Sequence, residues 1–358
     1  MKHIIIIGAG LTGAALAYRL SRARARVTVI EAATPAAAAS GASFGWINAS
    51  FFHSRAHFNL RRAAIAAHHR LDRDLGDTGI LWSGTLWSGS LWWEAAGSDF
   101  DSHAATLTAL EYPLRILTRA EIAAREPALA APDRALFLPD EGAVDAARLT
   151  RRLLAASGAT LWSGCPVTAV EPFKVHTAQG TLAADHIILA AGTACRALLA
   201  PLGLTLPMLD RPGLVLVTRP IKTRLSHILA SPTQEVRQDI MGRLIAPLSA
   251  AHQSAAHQPD KTDRITPLPG DLARGAMGRL RALLPGVDLD LAEVRAAHRP
   301  VPGDGLPAIG LTGIDGISLA VMHSGVTLAP LIADLLTDEV LGAPPSPLLA
   351  DFRPSRFF

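Results

Sequence analysis

The first thirty-one residues constrain the fold of this chain more than any other stretch. Four consecutive isoleucines at positions 4–7 make a segment that is apolar on both faces, as in the central strand of a parallel sheet. Gly8, Gly10 and Gly13 follow at the spacing G-x-G-x-x-G. Glycines at this spacing allow a tight turn, a close approach of a pyrophosphate to the backbone, and close packing of the next helix. The stretch therefore predicts a strand, a turn and a helix that bind a dinucleotide.

The residues that follow the glycines continue this pattern. Ala and Leu are frequent from Leu11 to about Arg24, which favours a helix whose first N–H groups face the phosphates. A second apolar strand, 26–30, ends at Glu31, roughly twenty residues downstream of the first glycines. A carboxylate there accepts hydrogen bonds from a ribose diol and repels a 2′-phosphate. An ordinary β-turn-α unit that binds no cofactor is the alternative interpretation.

Composition and charge exclude several classes of protein. The chain has 358 residues, enough for two domains, and 49% of them are hydrophobic, which is incompatible with global disorder. The net charge of +3 is small, and Arg is scattered and mixed with Asp and Glu, so no nucleic-acid-binding face is predicted. No apolar run reaches the length of a membrane span and no signal peptide is visible, so we expect a cytoplasmic protein without an integral membrane segment.

Neither the cysteines nor the histidines suggest a metal site. Cys165 and Cys195 are far apart and form no C-x-x-C pair, so they are expected to be buried, reduced thiols. The histidines that lie close together in the sequence are His53, His57, His68 and His69. No acid or cysteine beside them completes a set of ligands, so they are interpreted as core or solvated histidines.

The rest of the chain alternates between strand and helix patterns. Helices are predicted at 57–75, 146–157 with Asp145 as N-cap and Gly158 beyond its end, 272–284 and 326–341. Strands are predicted at 160–162, 167–170, 174–177, 185–192, 214–217, 243–245 and 317–321. Residues 80–94 suggest strand, turn and strand, 104–126 helical segments broken by Pro113, and 250–270 a polar loop. Trp46 follows a small-residue loop and is expected either beside a flat ring or in the core.

Four blocks of the sequence resemble the D-amino-acid oxidase superfamily, the FAD-dependent amine oxidoreductases that include glycine oxidase, sarcosine oxidase and D-amino-acid dehydrogenases. The blocks are 4–31, 39–43, 167–192 and 299–330, and they occur in the family's order. The resemblance implies an α/β fold, in which a Rossmann-like FAD-binding domain, doubly wound around a parallel central sheet, is interleaved with a substrate domain of antiparallel sheet plus helices. The FAD-binding domain would comprise 1–79, 141–205 and 298–358, and the substrate domain 80–140 and 206–297.

The resemblance also implies FAD as the cofactor and assigns residues to it. The AMP part would lie at the glycine turn and Glu31, with the adenine beside Val167, and the isoalloxazine between the loop 40–47 and the helix that opens at Gly325. That helix start would stabilise negative charge on reduced flavin. The expected cofactor-binding residues are Gly8, Gly10, Leu11, Thr12, Gly13, Glu31, Ala32, Ser40, Ser43, Gly45, Trp46, Val167, Gly192, Gly325, Val326 and Thr327.

The activity that the resemblance implies is oxidation of a C–N bond in an amine or amino acid. A hydride would pass to flavin N5, leaving an imine, and the electrons would continue to oxygen, a quinone or a partner protein. None of the four lysines falls in a block expected beside the ring, which favours a dehydrogenase over an oxidase. The alternatives are a flavoprotein subunit that relays electrons to a partner, and an NAD-dependent dehydrogenase.

The substrate end of the site departs from the family pattern at one position. Glycine-oxidase-like members have a carboxylate-binding Arg two residues before the Gly that opens the last helix, and this chain has His323 there. A histidine is mostly neutral near pH 7 and lacks the fork of an arginine. Either Arg299 or Arg237 replaces it, or the substrate is a larger or less acidic amine, and a secondary or N-substituted amine is expected. Alternatively, His323 only contacts a backbone carbonyl.

Overall fold

Two large sheets organise the part of the chain that the computed structural model describes, which comprises residues 1–89, 99–248 and 269–358. The helices of this part are α1 (Leu11–Arg22), α2 (Arg55–Leu75), α3 (Phe100–Ala109), α4 (Arg119–Arg125), α5 (Ala146–Ser157), α6 (Cys195–Leu199), α7 (Pro269–Leu283) and α8 (Gly325–Val340). Short 3₁₀ helices cover Gly192–Ala194, Ala200–Leu202, Pro347–Phe352 and Pro354–Arg356.

The strands of the same residues are numbered in chain order. They are β1 (His3–Ile7), β2 (Arg26–Ile30), β3 (Trp46–Ile47), β4 (Thr85–Trp87), β5 (Arg115–Thr118), β6 (Arg134–Leu138), β7 (Gly142–Ala143), β8 (Thr160–Trp162), β9 (Val167–Glu171), β10 (Lys174–Thr177), β11 (Gly180–Ala183), β12 (His186–Leu189), β13 (Met208–Leu209), β14 (Pro212–Pro220), β15 (Ile228–Ala230), β16 (Glu235–Gln238), β17 (Arg243–Pro247), β18 (Leu291–His298), β19 (Val301–Pro302), β20 (Ala308–Leu311) and β21 (Ile317–Val321).

The first sheet is the parallel one that the isoleucine run predicts. Its order is β20-β21-β12-β1-β2-β8, and every neighbouring pair is parallel except β20 with β21. Ile4 and Ile6 pack into the core that α1, α5 and α8 form, whereas Ile5 and Ile7 pack into the core formed with α6 and the small sheet β9-β10-β11. Both sides of β1 are therefore interior, which explains why both are apolar.

The second sheet is largely antiparallel and packs on α7. Its order is β18-β14-β17-β16-β15-β4-β6-β5, and only β15 and β4 run parallel among its neighbours. These two strands come from distant parts of the chain, so no hairpin imposes an antiparallel pairing on them. Ala276 and Leu280 of α7 belong to the same core as Leu216 and Leu244 of the sheet. The predicted α/β class is confirmed, with this single parallel pair as the exception to the antiparallel sheet.

Local signals set the helix ends as expected in most places. Asp145 accepts a hydrogen bond from the Arg148 N–H at 2.9 Å at the start of α5, and Gly158 follows its end with a positive φ of 65°. The helical prediction across 104–126 is wrong at residues 115–118, which form β5. Thr118 and Glu121 form a capping box that begins α4, so the residues before Thr118 are outside the helix and pair with β6 instead.

Two of the predicted segments fall partly outside the described residues. These are the second half of the predicted strand-turn-strand, at 90–94, and most of the predicted loop, at 250–268. Within the described ranges, Cys165 and Cys195 are buried and free. No helix there combines the length and the apolar character that crossing a bilayer requires. The same ranges hold no group of three or more His, Cys, Asp or Glu side chains placed to bind a metal ion.

Candidate active site

A cavity of about 850 Å³ lies at the carboxyl ends of the parallel strands. The segments that follow β1, β2, β12 and β21 all line it, at Gly8, Glu31, Gly192 and His323 respectively. In open α/β sheets this is the edge at which ligands bind. The volume is sufficient for a large organic ligand.

The glycine turn forms a cradle that side chains would fill. Gly8 has a φ of +106°, and a Cβ built on it would lie 2.5 Å from the carbonyl oxygen of Ala190. A Cβ on Gly13 would lie 2.0 Å from the carbonyl oxygen of Gly8, so glycine is needed there for α1 to pack on the turn. Gly10 lines the cavity at the start of α1 and leaves the backbone accessible to a ligand. This geometry fits a bound pyrophosphate.

Glu31 and Ser40 shape the same end of the cavity. The Glu31 carboxylate accepts hydrogen bonds from the N–H groups of Ala9, at 2.8 Å, and Ala33, at 2.9 Å. The hydroxyl of Ser40 accepts a hydrogen bond from the Leu11 N–H at 2.9 Å, which fixes the small-residue loop against the start of α1. Each Glu31 oxygen retains a lone pair for a ligand hydroxyl, so the residues present fit an adenosine ribose.

Trp46 joins the cavity to a buried polar cluster. Its indole lines the cavity, and its Nε1–H group donates to the carboxylate of Glu141 at 3.0 Å and to Thr85 at 3.2 Å. Glu141 is completely buried and also accepts hydrogen bonds from Ser50 and Tyr112. Burial raises the pKa of Glu141 from its usual value. Trp46 is thus half-buried and lines the cavity, so it is not a fully buried core residue, and its position beside a flat ring stays a prediction.

The start of α8 is held by a histidine that compensates for a proline. Pro330 has no N–H group, so the carbonyl of Val326 lacks the partner that an α-helix supplies four residues later. The buried Nε2 of His68 lies 2.9 Å from that carbonyl oxygen and 3.1 Å from that of Thr327. Burial lowers the pKa of His68 to about 4, so the ring is neutral and carries its proton on Nε2. The hydroxyl of Thr327 in turn donates to the carbonyl of Trp46 at 3.2 Å.

Arg61 connects α2 to both walls of the cavity. It is 5% exposed and lines the cavity, and its guanidinium donates to the side chains of Asn48, just after β3, and Ser324, just before α8. Its Nε has no hydrogen-bond partner among the described residues. Burial lowers the pKa of Arg61 to about 10, while Glu141 acts in the opposite direction. The side chain is therefore a cation at neutral pH.

His323 and Arg299 lie together at the other end of the cavity. The Nη1 of Arg299 lies 3.4 Å from Nε2 of His323, and its Nε and Nη2 donate to the carbonyls of Arg211, at 3.2 Å, and Pro212, at 3.3 Å. His323 has a large exposed surface, which borders the cavity. The pKa of His323 is lowered to about 3. The largest cause is the loss of hydration inside the protein, and the positive charges of Arg299 and Arg61 add to it. The ring is neutral, and Nε2 is the acceptor for Arg299.

The structure brings together most of the residues that the sequence assigned to the site. All of the expected cofactor-binding residues line the cavity except Gly13, which packs behind the turn, and Val167, which begins β9. Arg237 does not line the cavity either. It is buried behind the loop and donates to the carbonyls of Phe44 and, at 3.3 Å, Val144. Its hydrogen bonds hold the loop, so Arg299 is the arginine of the two that reaches the cavity.

Sequence reasoning missed several residues of the cavity. Arg61 and Arg211 were not singled out, and His53 and His57, which were interpreted as core or solvated, both line it. Burial lowers the pKa of His57 to about 2, so this ring is neutral. The sequence indicated Arg61 only by its position in a helix that follows the small-residue loop. The exposed Arg62 has the same position, so this signal does not single out Arg61.

A parallel sheet with a nucleotide cradle at its carboxyl edge defines a dinucleotide-cofactor protein. Residues 3–339 match the model of the DAO family, described as FAD dependent oxidoreductase. The chain belongs to this family, its cofactor is FAD, and it is an oxidoreductase. The resemblance seen in the sequence is therefore confirmed, and the NAD-dependent alternative is wrong.

Several relatives are similar over nearly their whole length. D-amino acid dehydrogenase from Paramagnetospirillum magneticum is 28% identical over 95% of each chain. One of the subunits of opine oxidase from Agrobacterium tumefaciens is 27% identical over 98% of this chain and 96% of that one. Glycine oxidase from Geobacillus kaustophilus is 27% identical over 94% of this chain and 92% of that one. The crystal structure of a glycine oxidase from the same organism superposes with a TM-score of 0.86 at 25% identity, covering 100% of both chains.

Proposed function

We propose that the protein oxidises a C–N bond of an amine or amino acid, preferably a secondary or N-substituted amine. When bound, FAD would supply the acceptor, at N5, for a hydride from the carbon beside the amine nitrogen, and the substrate would become an imine. The observation that carries the proposal is the Arg299–His323 pair in the cavity, on the side where α8 begins. D-amino acid dehydrogenase and glycine oxidase, to which the chain is similar, are named for substrates of this class.

The protein residues in this proposal bind and orient the two ligands. Gly8, Gly10, Glu31 and Ser40 hold the nucleotide part of FAD, and the loop 40–47 and the start of α8 enclose the ring. Arg299 supplies the charge for a carboxylate, and the carbonyls of Arg211 and Pro212, at the start of β14, hold its guanidinium in place. His323 is neutral and supplies one hydrogen bond and no charge. A site with this weaker clamp at position 323 suits a substituted amine better than glycine or D-alanine.

We propose an FAD-binding domain of 1–79, 141–205 and 298–358 and a substrate domain of 80–140 and 206–297. In support, the strands of the parallel sheet come from 3–30, 160–189 and 308–321, and those of the other large sheet from 85–138 and 212–298.

A test of the proposed reaction is anaerobic reduction of the bound flavin, followed by its absorbance. The panel is glycine, sarcosine, D-alanine, D-proline and amines without a carboxylate. We expect sarcosine, D-proline or another substituted amine to bleach the flavin faster than glycine and D-alanine do. No bleaching by any member of a broad amine panel would contradict the proposal.

A flavoprotein subunit that relays electrons to a partner is the second candidate. The similarity to an opine oxidase subunit over 98% of this chain favours it, because that relative is named as one component of an enzyme. Reduction of the flavin by an amine in the isolated chain would argue against a subunit without its own substrate.

We further propose that the protein is a dehydrogenase that transfers electrons to oxygen slowly. Lys2, Lys174 and Lys222 do not line the cavity, and Lys261 lies outside the described residues, so no described lysine is close enough to assist oxygen. After substrate reduction, an artificial dye should reoxidise the flavin faster than air-saturated buffer. Faster reoxidation by oxygen would overturn this part of the proposal.

A further inference from the structure

We propose that Arg61 positions the flavin ring and that its buried positive charge raises the reduction potential of bound FAD. The inference rests on the ring placement proposed above, between the loop 40–47 and the start of α8. It concerns a residue to which neither the sequence patterns nor the comparisons assign a role.

The position of Arg61 between two walls of the cavity is the first support. One nitrogen, Nη2, donates to the Asn48 side chain, which follows β3 directly. The other, Nη1, donates to the hydroxyl of Ser324, which immediately precedes α8. A single guanidinium therefore joins the two segments that would enclose the ring. The planar fork of an arginine allows both bonds from one side chain, which a lysine cannot reproduce.

The charge of Arg61 is the second support. The side chain lines the cavity, and its Nε has no hydrogen-bond partner among the residues described. The acid that acts on its pKa, Glu141, does not line the cavity and accepts hydrogen bonds from Trp46, Ser50 and Tyr112. The cation is thus at the cavity wall and its counter-ion lies behind that wall.

The chemical consequence follows from the charge change of a flavin. A reduced flavin carries more negative charge on its pyrimidine edge than an oxidised one, so a fixed cation nearby stabilises the reduced form. Charges in an enclosed cavity interact more strongly than charges in water. The positive end of α8 acts in the same direction. His57 and His323 are neutral and add no charge at pH 7.

The test compares three variants of the FAD-loaded protein. Arg61→Gln removes the charge, Arg61→Lys removes the fork but keeps a charge, and Arg62→Gln changes the exposed neighbour on the same helix. The readouts are the midpoint potential, measured against a reference dye, and the affinity for sulfite, which adds to the flavin and leaves negative charge on the ring. Neither requires an amine substrate, so failure of the proposed reaction leaves this test intact.

We expect Arg61→Gln to reduce sulfite affinity at least about tenfold and to lower the midpoint potential by about 30 mV, the equivalent of tenfold for a two-electron couple. Arg61→Lys should stay closer to the wild type near neutral pH, and Arg62→Gln should match the wild type. Wild-type values in Arg61→Gln would overturn the proposal. Equal losses in the Gln and Lys variants would overturn the role of the charge.

A second measurement covers the case in which Arg61→Gln does not retain FAD. A buried ammonium loses its proton at lower pH than a buried guanidinium does. In Arg61→Lys the difference in midpoint potential from the wild type should therefore grow as the pH is raised from 7 to 9. A difference that stays constant over this range would contradict an electrostatic role for residue 61.

Discussion

At the scale of single residues, Glu31 offers a direct test of the cofactor site. Its carboxylate accepts two backbone hydrogen bonds and has lone pairs left for the ribose hydroxyls of FAD. We expect Glu31→Ala to weaken FAD binding by about 1–3 kcal/mol, the range for losing hydrogen bonds to a charged group. Titration of the apoprotein with FAD, followed by flavin fluorescence, measures this change.

The control for this experiment is Glu171→Ala. Glu171 is exposed at the end of β9 and does not line the cavity, so its replacement should leave FAD affinity unchanged. If Glu31→Ala and Glu171→Ala bind FAD equally well, the assignment of the ribose to Glu31 is wrong.

His323 is the second residue whose replacement gives a clear outcome. The Arg that stands at this position in glycine-oxidase-like members would add a permanent charge beside Arg299. We expect His323→Arg to increase the rate of flavin reduction by glycine and D-alanine relative to carboxylate-free amines. Efficient reduction by glycine or D-alanine in the wild type, lost in the variant, would show that the position is misinterpreted.

Residue identity alone predicted the lining of the cavity at the glycine turn better than its lining around Arg61. Glycines and an acid at fixed spacing act through the local backbone, so the sequence places Gly8, Gly10 and Glu31 with respect to one another. The place of Arg61 in the cavity wall depends on its hydrogen bond to Ser324, which is 263 positions away in the sequence. Arg61 and the exposed Arg62 are adjacent arginines of one helix, and only the packing of α2 against α8 distinguishes them.

At the scale of elements, His68 occupies the Val326 carbonyl that Pro330 leaves without a donor in α8. Replacing His68 and replacing Pro330 should therefore have non-additive effects on stability. His68→Ala leaves the carbonyl of Val326 without its buried donor and should lower the free energy of unfolding by about 1–3 kcal/mol. Pro330→Ala restores an N–H that can donate to the same carbonyl. The double variant should therefore lose less stability than His68→Ala alone. Urea unfolding of the wild type, the two single variants and the double variant gives the double-mutant cycle.

The neighbouring histidine provides the control for this cycle. His69 is exposed and stacks on Trp82, with ring centres 3.8 Å apart, so His69→Ala should change stability by no more than about 0.5 kcal/mol. Strictly additive effects of His68→Ala and Pro330→Ala would mean that the two residues do not compensate for each other.

Elements with a strong local signal were predicted, whereas β5, whose conformation depends on its pairing, was not. α5 has an N-cap, an apolar stripe and a terminal glycine, and each of these can be seen within fourteen residues. β5 was predicted as helix because 115–118 has no alternation of its own. Its conformation depends on pairing with β6, and on the capping box at Thr118, which ends the strand and begins α4.

At the scale of the whole molecule, one buried and two half-buried histidines should make the fold sensitive to acid. Burial lowers the pKa of His68, His103 and His186 from 6.5 to about 4 in each case. The unfolded chain takes up these protons below about pH 6.5, whereas the folded protein does not until about pH 4. The unfolding free energy should therefore fall between these values as the pH is lowered, by about 1.4 kcal/mol per pH unit for each histidine.

Urea unfolding at several pH values measures this slope, and one variant isolates a single histidine. His186 contacts the Ser318 hydroxyl at 2.8 Å through Nε2, and His186→Gln can keep a hydrogen bond there without a proton to gain. The slope between pH 6 and 5 should decrease by about 1.4 kcal/mol per pH unit in this variant. An unchanged slope would contradict the assigned burial effect.

The position of β1 in the parallel sheet also has a consequence for how the chain is made. β1 is synthesised long before its neighbour β12, which begins at His186, and before β21, which begins at Ile317. Until those strands are synthesised, β1 has no neighbouring strand on one side. Its isoleucines and its unpaired edge are then exposed to contact with other chains. The segment proposed to bind the nucleotide can therefore become native only after the chain has been synthesised as far as β21.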